Sequence, residues 1–203
     1  MLEVGCQHGP GGPKDPGLSE AETRSHFGAW AIVSSPLTLS HDVTNATVMD
    51  AVWPLISNRE VIAINQAWAG HSGSPFARSE DLVAHAWREA PREQDRSGRR
   101  ELAGEAVRAL QARSYTSPSW QYFYKPLETD GSRVAVLLMN HASSTADLSL
   151  DLSAVPGLAC KAATCAVRDV WARKDLGTAK GTYTAKGVAM RDAAFFVLST
   201  PTA

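Results

Sequence analysis

Arg133-Val134-Ala135-Val136-Leu137-Leu138-Met139-Asn140 is the stretch that decides the fold of the second half of the chain. It is apolar from Val134 to Met139 and bounded by polar and turn-forming residues, the pattern of a short buried strand. Working outward, Trp120 to Lys125, Ala146 to Leu152, Ala166 to Trp171, Gly181 to Thr184 and Ala193 to Leu198 repeat the theme, separated by Gly, Pro and polar turns. Such a succession of short strands predicts an antiparallel β-sandwich over residues 120–203. Trp120, Tyr122 and Tyr124 offer rings that could stack on sugars, but alternation within one strand places some of them in a core.

Upstream the rhythm differs. Met1 to Gly5 is a short apolar strand end, and Cys6 to Gly17 carries enough Gly and Pro to be an irregular loop. Ser19 and Glu22 form an S-x-x-E capping box that opens a helix, with Phe27, Trp30, Ala31 and Ser34 along its buried face and Pro36 as its stop. Pro36 to Ser40 predicts a buried strand that ends in Ser40-His41-Asp42, and Thr47 to Gln66 a helical stretch broken near Trp53-Pro54. Strand, helix, strand, helix argues for parallel βα units, and two such units can neither close a barrel nor cover both faces of a sheet. Between these halves lies a polar stretch with an amphipathic helix expected over Glu101 to Arg113, where Leu102, Ala106, Ala109 and Leu110 share one side. The expected division is therefore 1–67 (α/β), 68–119 (linker with a polar, helical insertion) and 120–203 (all-β).

Lys+Arg at 20 against Asp+Glu at 21 leave a net charge of −1, so no global field draws the chain to nucleic acid or an anionic membrane. Arg92, Arg96, Arg99 and Arg100 are interleaved with acidic residues and lack an aromatic stacking platform, as on a solvated face. Phe27 to Leu39 is interrupted by Ser34, Ser35 and Pro36 and is too short to cross a bilayer. Met1 to Gly5 lack the basic start and apolar core of a secretory signal, which would have to lie upstream. No phosphate-binding glycine loop, metal-ligand cluster or cofactor fingerprint is expected; Gly9 to Gly12 lacks the lysine and hydroxyl of such a loop. Cys160 and Cys165 are spaced to close a small hairpin disulfide, the alternatives being a metal half-site without further ligands or two unpaired thiols; Cys6 is left over. Asn45-Ala46-Thr47 is a glycosylation sequon. Sequon and cysteine pair together lean towards the secretory pathway.

Met1-Leu2-Glu3-Val4-Gly5, Gly17-Leu18-Ser19, Ala29-Trp30-Ala31-Ile32 and Ser35-Pro36-Leu37 resemble, in order and spacing, the late barrel of melibiase-type α-galactosidases, glycoside hydrolase family 27. The most specific run is Asn58-Arg59-Glu60-Val61-Ile62-Ala63-Ile64-Asn65-Gln66, which looks like that family's N-[KR]-[ED]-V-I-A-[IV]-N-Q segment before the C-terminal domain. Tyr124-Lys125-Pro126-Leu127 and the strand from Val134 to Asn140 are similar to the strands that follow it, and Cys160 and Cys165 fall near a short disulfide loop of some members. The resemblance spares the Cys6 to Pro16 loop and the Arg88 to Arg113 stretch.

The resemblance implies the last two βα units of a TIM-type (β/α)8 barrel followed by a β-sandwich. It implies a retaining glycosidase that releases terminal α-linked galactose with one aspartate as nucleophile and another as acid/base, roughly 5 Å apart. The family carries both on earlier barrel strands, so no residue here is expected to be catalytic. Met1 matches the methionine beside the bound sugar. Asp42, with Ser40 and His41, is expected at the barrel rim as a turn cap, since a lone carboxylate lacks the partner that double displacement requires. The competing reading is a binding or accessory module derived from the family. Release of N-acetylgalactosamine is a sister activity decided by loops outside this stretch.

Overall fold

The computed structural model describes residues 1–9, 16–86 and 114–201. The helix expected over Glu101 to Arg113 lies outside them. Three helices, α1 (Glu20–Ile32), α2 (Ala46–Ile56) and α3 (Arg59–Gln66), lead into a chain dominated by strands. α1 opens on the capping box: the Ser19 hydroxyl accepts from the Glu22 N–H at 3.3 Å, and the Glu22 carboxylate accepts from the Ser19 N–H at 3.0 Å. The helix ends two residues earlier than its apolar spacing predicts. Ser34 lies beyond the Val33 cap in the left-handed region at φ 55°, reversing the chain before Pro36.

The helical stretch that follows breaks at Ser57-Asn58 rather than at Trp53-Pro54. Pro54 sits inside α2, which forgoes one backbone hydrogen bond. Asn58 sets the break, because its Oδ1 accepts from the Glu60 N–H at 3.0 Å and the Val61 N–H at 3.4 Å and so starts α3. The two predicted N-terminal strands reduce to one parallel bridge, Leu2 to Leu39, with the Leu2 N–H donating to the Thr38 carbonyl at 2.8 Å. A lone parallel pair has too few ladder bonds to extend itself.

Six antiparallel strands form the main sheet, in the order β1 (Ser74–Arg78), β4 (Trp120–Pro126), β5 (Arg133–Asn140), β10 (Ala193–Ser199), β7 (Thr164–Asp169) and β8 (Lys174–Lys180). β6 (Ala146–Asp151) pairs with β9 (Thr182–Val188) above it, and β2 (Leu82–Ala86) with β3 (Ser114–Pro118) as a separate ribbon. β1, β2 and β3 all fall within the stretch taken as linker, and β1 is an edge of the main sheet. β8 has no sequence signature: Lys174-Asp175-Leu176-Gly177 is almost wholly exposed, as an edge strand permits.

β5 is apolar at successive positions because both faces of the sheet are covered. Val134, Val136 and Leu138 join Phe196, Leu198, Leu148, Leu150 and Leu158 in the core between the sheet and the β6–β9 pair. Ala135 and Leu137 face the other way, into a second core with Phe195, Phe27, Ile32, Val61, Leu2 and Val4. The helices thus cover the back of the sandwich. Gly73 allows the chain to pass between them: a Cβ there would stand 2.4 Å from the Ile32 carbonyl oxygen, to which the Gly73 N–H donates. Cys160 and Cys165 are joined as a disulfide buried in the sandwich core, while Cys6 is free. Among the described residues no helix is long and apolar enough to cross a membrane.

Candidate functional site

Residues 1–5 and 36–42 hold the positions singled out in the sequence. Leu2 and Val4 are fully buried against the helices, whereas Met1 is 70% exposed and Glu3 is exposed. In the neighbouring segment Leu37 and Leu39 pack on the same core, while Thr38 and Ser40 are exposed. Met1, Glu3, Thr38 and Ser40 therefore lie on faces turned away from the helix layer. His41 ties the two segments together: its Nδ1–H donates to the Val4 carbonyl at 2.7 Å, and its Nε2 lies 3.1 Å from the Met49 sulfur of α2.

Asp42 is exposed and caps a turn. Its Oδ1 accepts from both the Thr44 hydroxyl at 2.7 Å and the Thr44 N–H at 2.9 Å, and these bonds hold its carboxyl below the ordinary carboxylate range. Other acidic side chains are similarly engaged. Glu20 and Asp192 bind Arg24, Glu22 caps α1 and binds Arg191, and Glu60 and Asp175 bind Arg168. Among the described residues no group of three His, Cys, Asp or Glu could hold a metal ion.

The aromatic strand is occupied by packing. Tyr122 is 4% exposed, its hydroxyl donates to the Ser149 carbonyl at 3.1 Å, and burial pushes its pKa up to about 12. Its ring stacks on Trp120 with centroids 4.3 Å apart, and Tyr124 packs against Phe76 and His71. These rings pack against one another at the sandwich, with Tyr122 buried and Trp120 and Tyr124 partly exposed.

The run Asn58 to Gln66 proves to be the interface between helices and sandwich. Asn58 caps α3 with one end of its amide and donates with the other to the Val170 carbonyl at 2.9 Å. Glu60 receives a two-pronged bond from Arg168 of β7 at 2.7 and 2.9 Å. Asn65 donates to the Trp30 carbonyl in the last turn of α1 and to the Ser35 carbonyl just past it. From the sandwich side Lys125, fully buried in β4, spends all three ammonium protons on the Ser34 hydroxyl and the Ile64 and Asn65 carbonyls. The ammonium thereby meets the carbonyl end of α3, where the helix dipole favours a cation. None of these pairings was visible in the sequence; a lysine inside an aromatic-rich strand was the one available sign. Asn58→Ala is expected to lower stability by about 2 kcal/mol, losing a cap and stranding the buried Val170 carbonyl. Chemical denaturation of the variant measures it.

The chain thus presents a six-stranded sheet backed by helices on one face and by a disulfide-bearing core on the other. Residues 117–198 match the alpha galactosidase C-terminal beta sandwich domain. The α-galactosidase of Coffea arabica is 33% identical over 200 residues, covering 98% of this chain and 38% of the relative. That of Cyamopsis tetragonoloba is 38% identical over 86 residues, covering 38% of this chain and 20% of the relative. Among solved structures, α-galactosidase I from Mortierella vinacea superposes with a TM-score of 0.62 at 21% identity, over 92% of this chain and 38% of that one. A putative α-galactosidase/melibiase from Bacteroides fragilis gives 0.66 at 21% identity, over 97% and 33%. The chain belongs with the C-terminal portion of the melibiase-type α-galactosidases, and it spans little more than a third of the length of the coffee relative.

Proposed function

We propose that the chain is the C-terminal part of an enzyme that hydrolyses terminal α-linked galactose with retention of configuration. Residues 1–67 are the last two βα units of its (β/α)8 barrel, 68–119 the connection, and 120–203 the sandwich. One observation carries this reading: two parallel segments turn Leu2, Val4, Leu37 and Leu39 towards helices and Met1, Glu3, Thr38 and Ser40 away from them. Barrel strands alternate in this way between the helix ring and the barrel interior. Met1 then stands beside the sugar, and Ser40, His41 and Asp42 shape the rim at the carboxyl end of the next strand. The nucleophile and the acid/base are carboxylates outside these residues, because double displacement needs two at about 5 Å. The substrate is an α-galactoside, with no cofactor required. The disulfide suits passage through the secretory pathway.

A free-standing sugar-binding module would behave differently. Ligand-observed NMR of the folded chain with galactose is expected to show no saturable binding, since Met1 alone does not make a pocket. Saturable binding lost on replacement of Trp120 or Tyr124 would instead establish the module.

A further inference from the structure

We infer that Asn45 is a site of N-linked glycosylation. The 203-residue sequence contains one Asn-X-Ser/Thr triplet, Asn45-Ala46-Thr47. The fold separates this asparagine from the others. Asn58, Asn65 and Asn140 each commit the side-chain nitrogen to backbone carbonyls: Val170 for Asn58, Trp30 and Ser35 for Asn65, and Ser144, Val188 and Ala189 for Asn140. Asn45 uses only its oxygen, which accepts from the Val48 N–H at 3.2 Å and caps α2. Its nitrogen has no hydrogen-bond partner among the described residues. The residue is partly exposed, and Val43, Thr44, Ala46 and Thr47 around it are all exposed, so the asparagine lies on a surface stretch of the chain.

The second, independent sign is the closed disulfide between Cys160 and Cys165, a bond that forms and persists in an oxidising compartment. Asparagine-linked sugars belong to surface loops of secreted proteins. The transfer balances simply. The Asn45 side-chain nitrogen forms a bond to the anomeric carbon of a lipid-pyrophosphate-linked oligosaccharide. The bond from that carbon to the pyrophosphate oxygen breaks, and the proton lost from nitrogen leaves with the lipid pyrophosphate. The amide oxygen is untouched and continues to cap α2. Glycan and cap can therefore be removed separately. Thr47→Ala destroys the triplet but keeps the cap, while Asn45→Asp removes the attachment atom and leaves an acceptor oxygen in place.

The test is to express the full chain behind a secretory leader in a eukaryotic host and weigh the secreted protein before and after peptide-N-glycosidase treatment. One enzyme-sensitive glycan is expected on wild type, mapped by peptide mass spectrometry to Asn45, and none on Thr47→Ala or Asn45→Asp. Secreted Thr47→Ala is expected to match the deglycosylated wild type in circular dichroism and denaturation midpoint. Secreted wild type at its unmodified mass, or a glycan that persists in Thr47→Ala, overturns the assignment. Neither outcome bears on the hydrolase reading, which rests on other residues.

Discussion

Lys125→Met is expected to destabilise the chain by about 3 kcal/mol near neutral pH, read as a lowered urea midpoint with an unchanged denaturant slope. Methionine fills the space of the lysine stem but offers no donor to the Ser34 hydroxyl or the Ile64 and Asn65 carbonyls. The stranded acceptors lie at the seam between α3 and β4, with the Ile64 carbonyl in its buried part. The same residue has a pH signature. Burial lowers the Lys125 pKa from 10.5 to about 8. Between those values the unfolded chain holds a proton that the folded chain has released, so the lysine's contribution to stability rises with pH across that window. The gap between wild type and Lys125→Met is thus expected to widen from pH 8 to pH 10.5. A constant gap would show that the lysine titrates at its ordinary value.

Phe195→Ala is expected to cost about 3–5 kcal/mol. The ring is fully buried on the helix-facing side of β10 and meets Trp171 edge-on at 5.3 Å between centroids. The Phe195 carbonyl also accepts from the Val170 N–H at 2.9 Å, beside the carbonyl that Asn58 binds. Its removal opens a cavity between α1 and the sheet, where the backbones on both sides are held by hydrogen bonds and cannot collapse to fill it. Thermal and urea unfolding are expected to remain single transitions shared by helix and strand signals, because Phe195 belongs to a core common to both layers. Helices that melt before the sandwich would show instead that the seam is weak.

Much of this fold is written in local pattern. The capping box at Ser19 and Glu22 places the start of α1 to the residue, and the run from Val134 to Met139 identifies a strand covered on both faces. Where pattern failed, a competing interaction decided. Pro54 pointed to a helix break, but Asn58, with two backbone amides to cap and a carbonyl to reach, moved it four residues on. β8 escaped notice because an exposed edge strand needs no alternation, and β1 because its place in the sheet depends on β4 far along the chain. Asp42 as a turn cap followed from sequence, since an aspartate two residues before a threonine suffices for that geometry. The roles of Lys125 and Arg168 did not, because they depend on which distant carbonyls and carboxylates the fold brings near.

We propose that these residues supply the frame of an α-galactosidase and not its reacting carboxylates. Assay of the purified, monodisperse chain on an aryl α-galactoside tests it most directly. The expected result is no turnover above the buffer rate, for wild type and Asp42→Ala alike. Turnover by wild type that is lost in an equally folded Asp42→Ala variant would contradict the account.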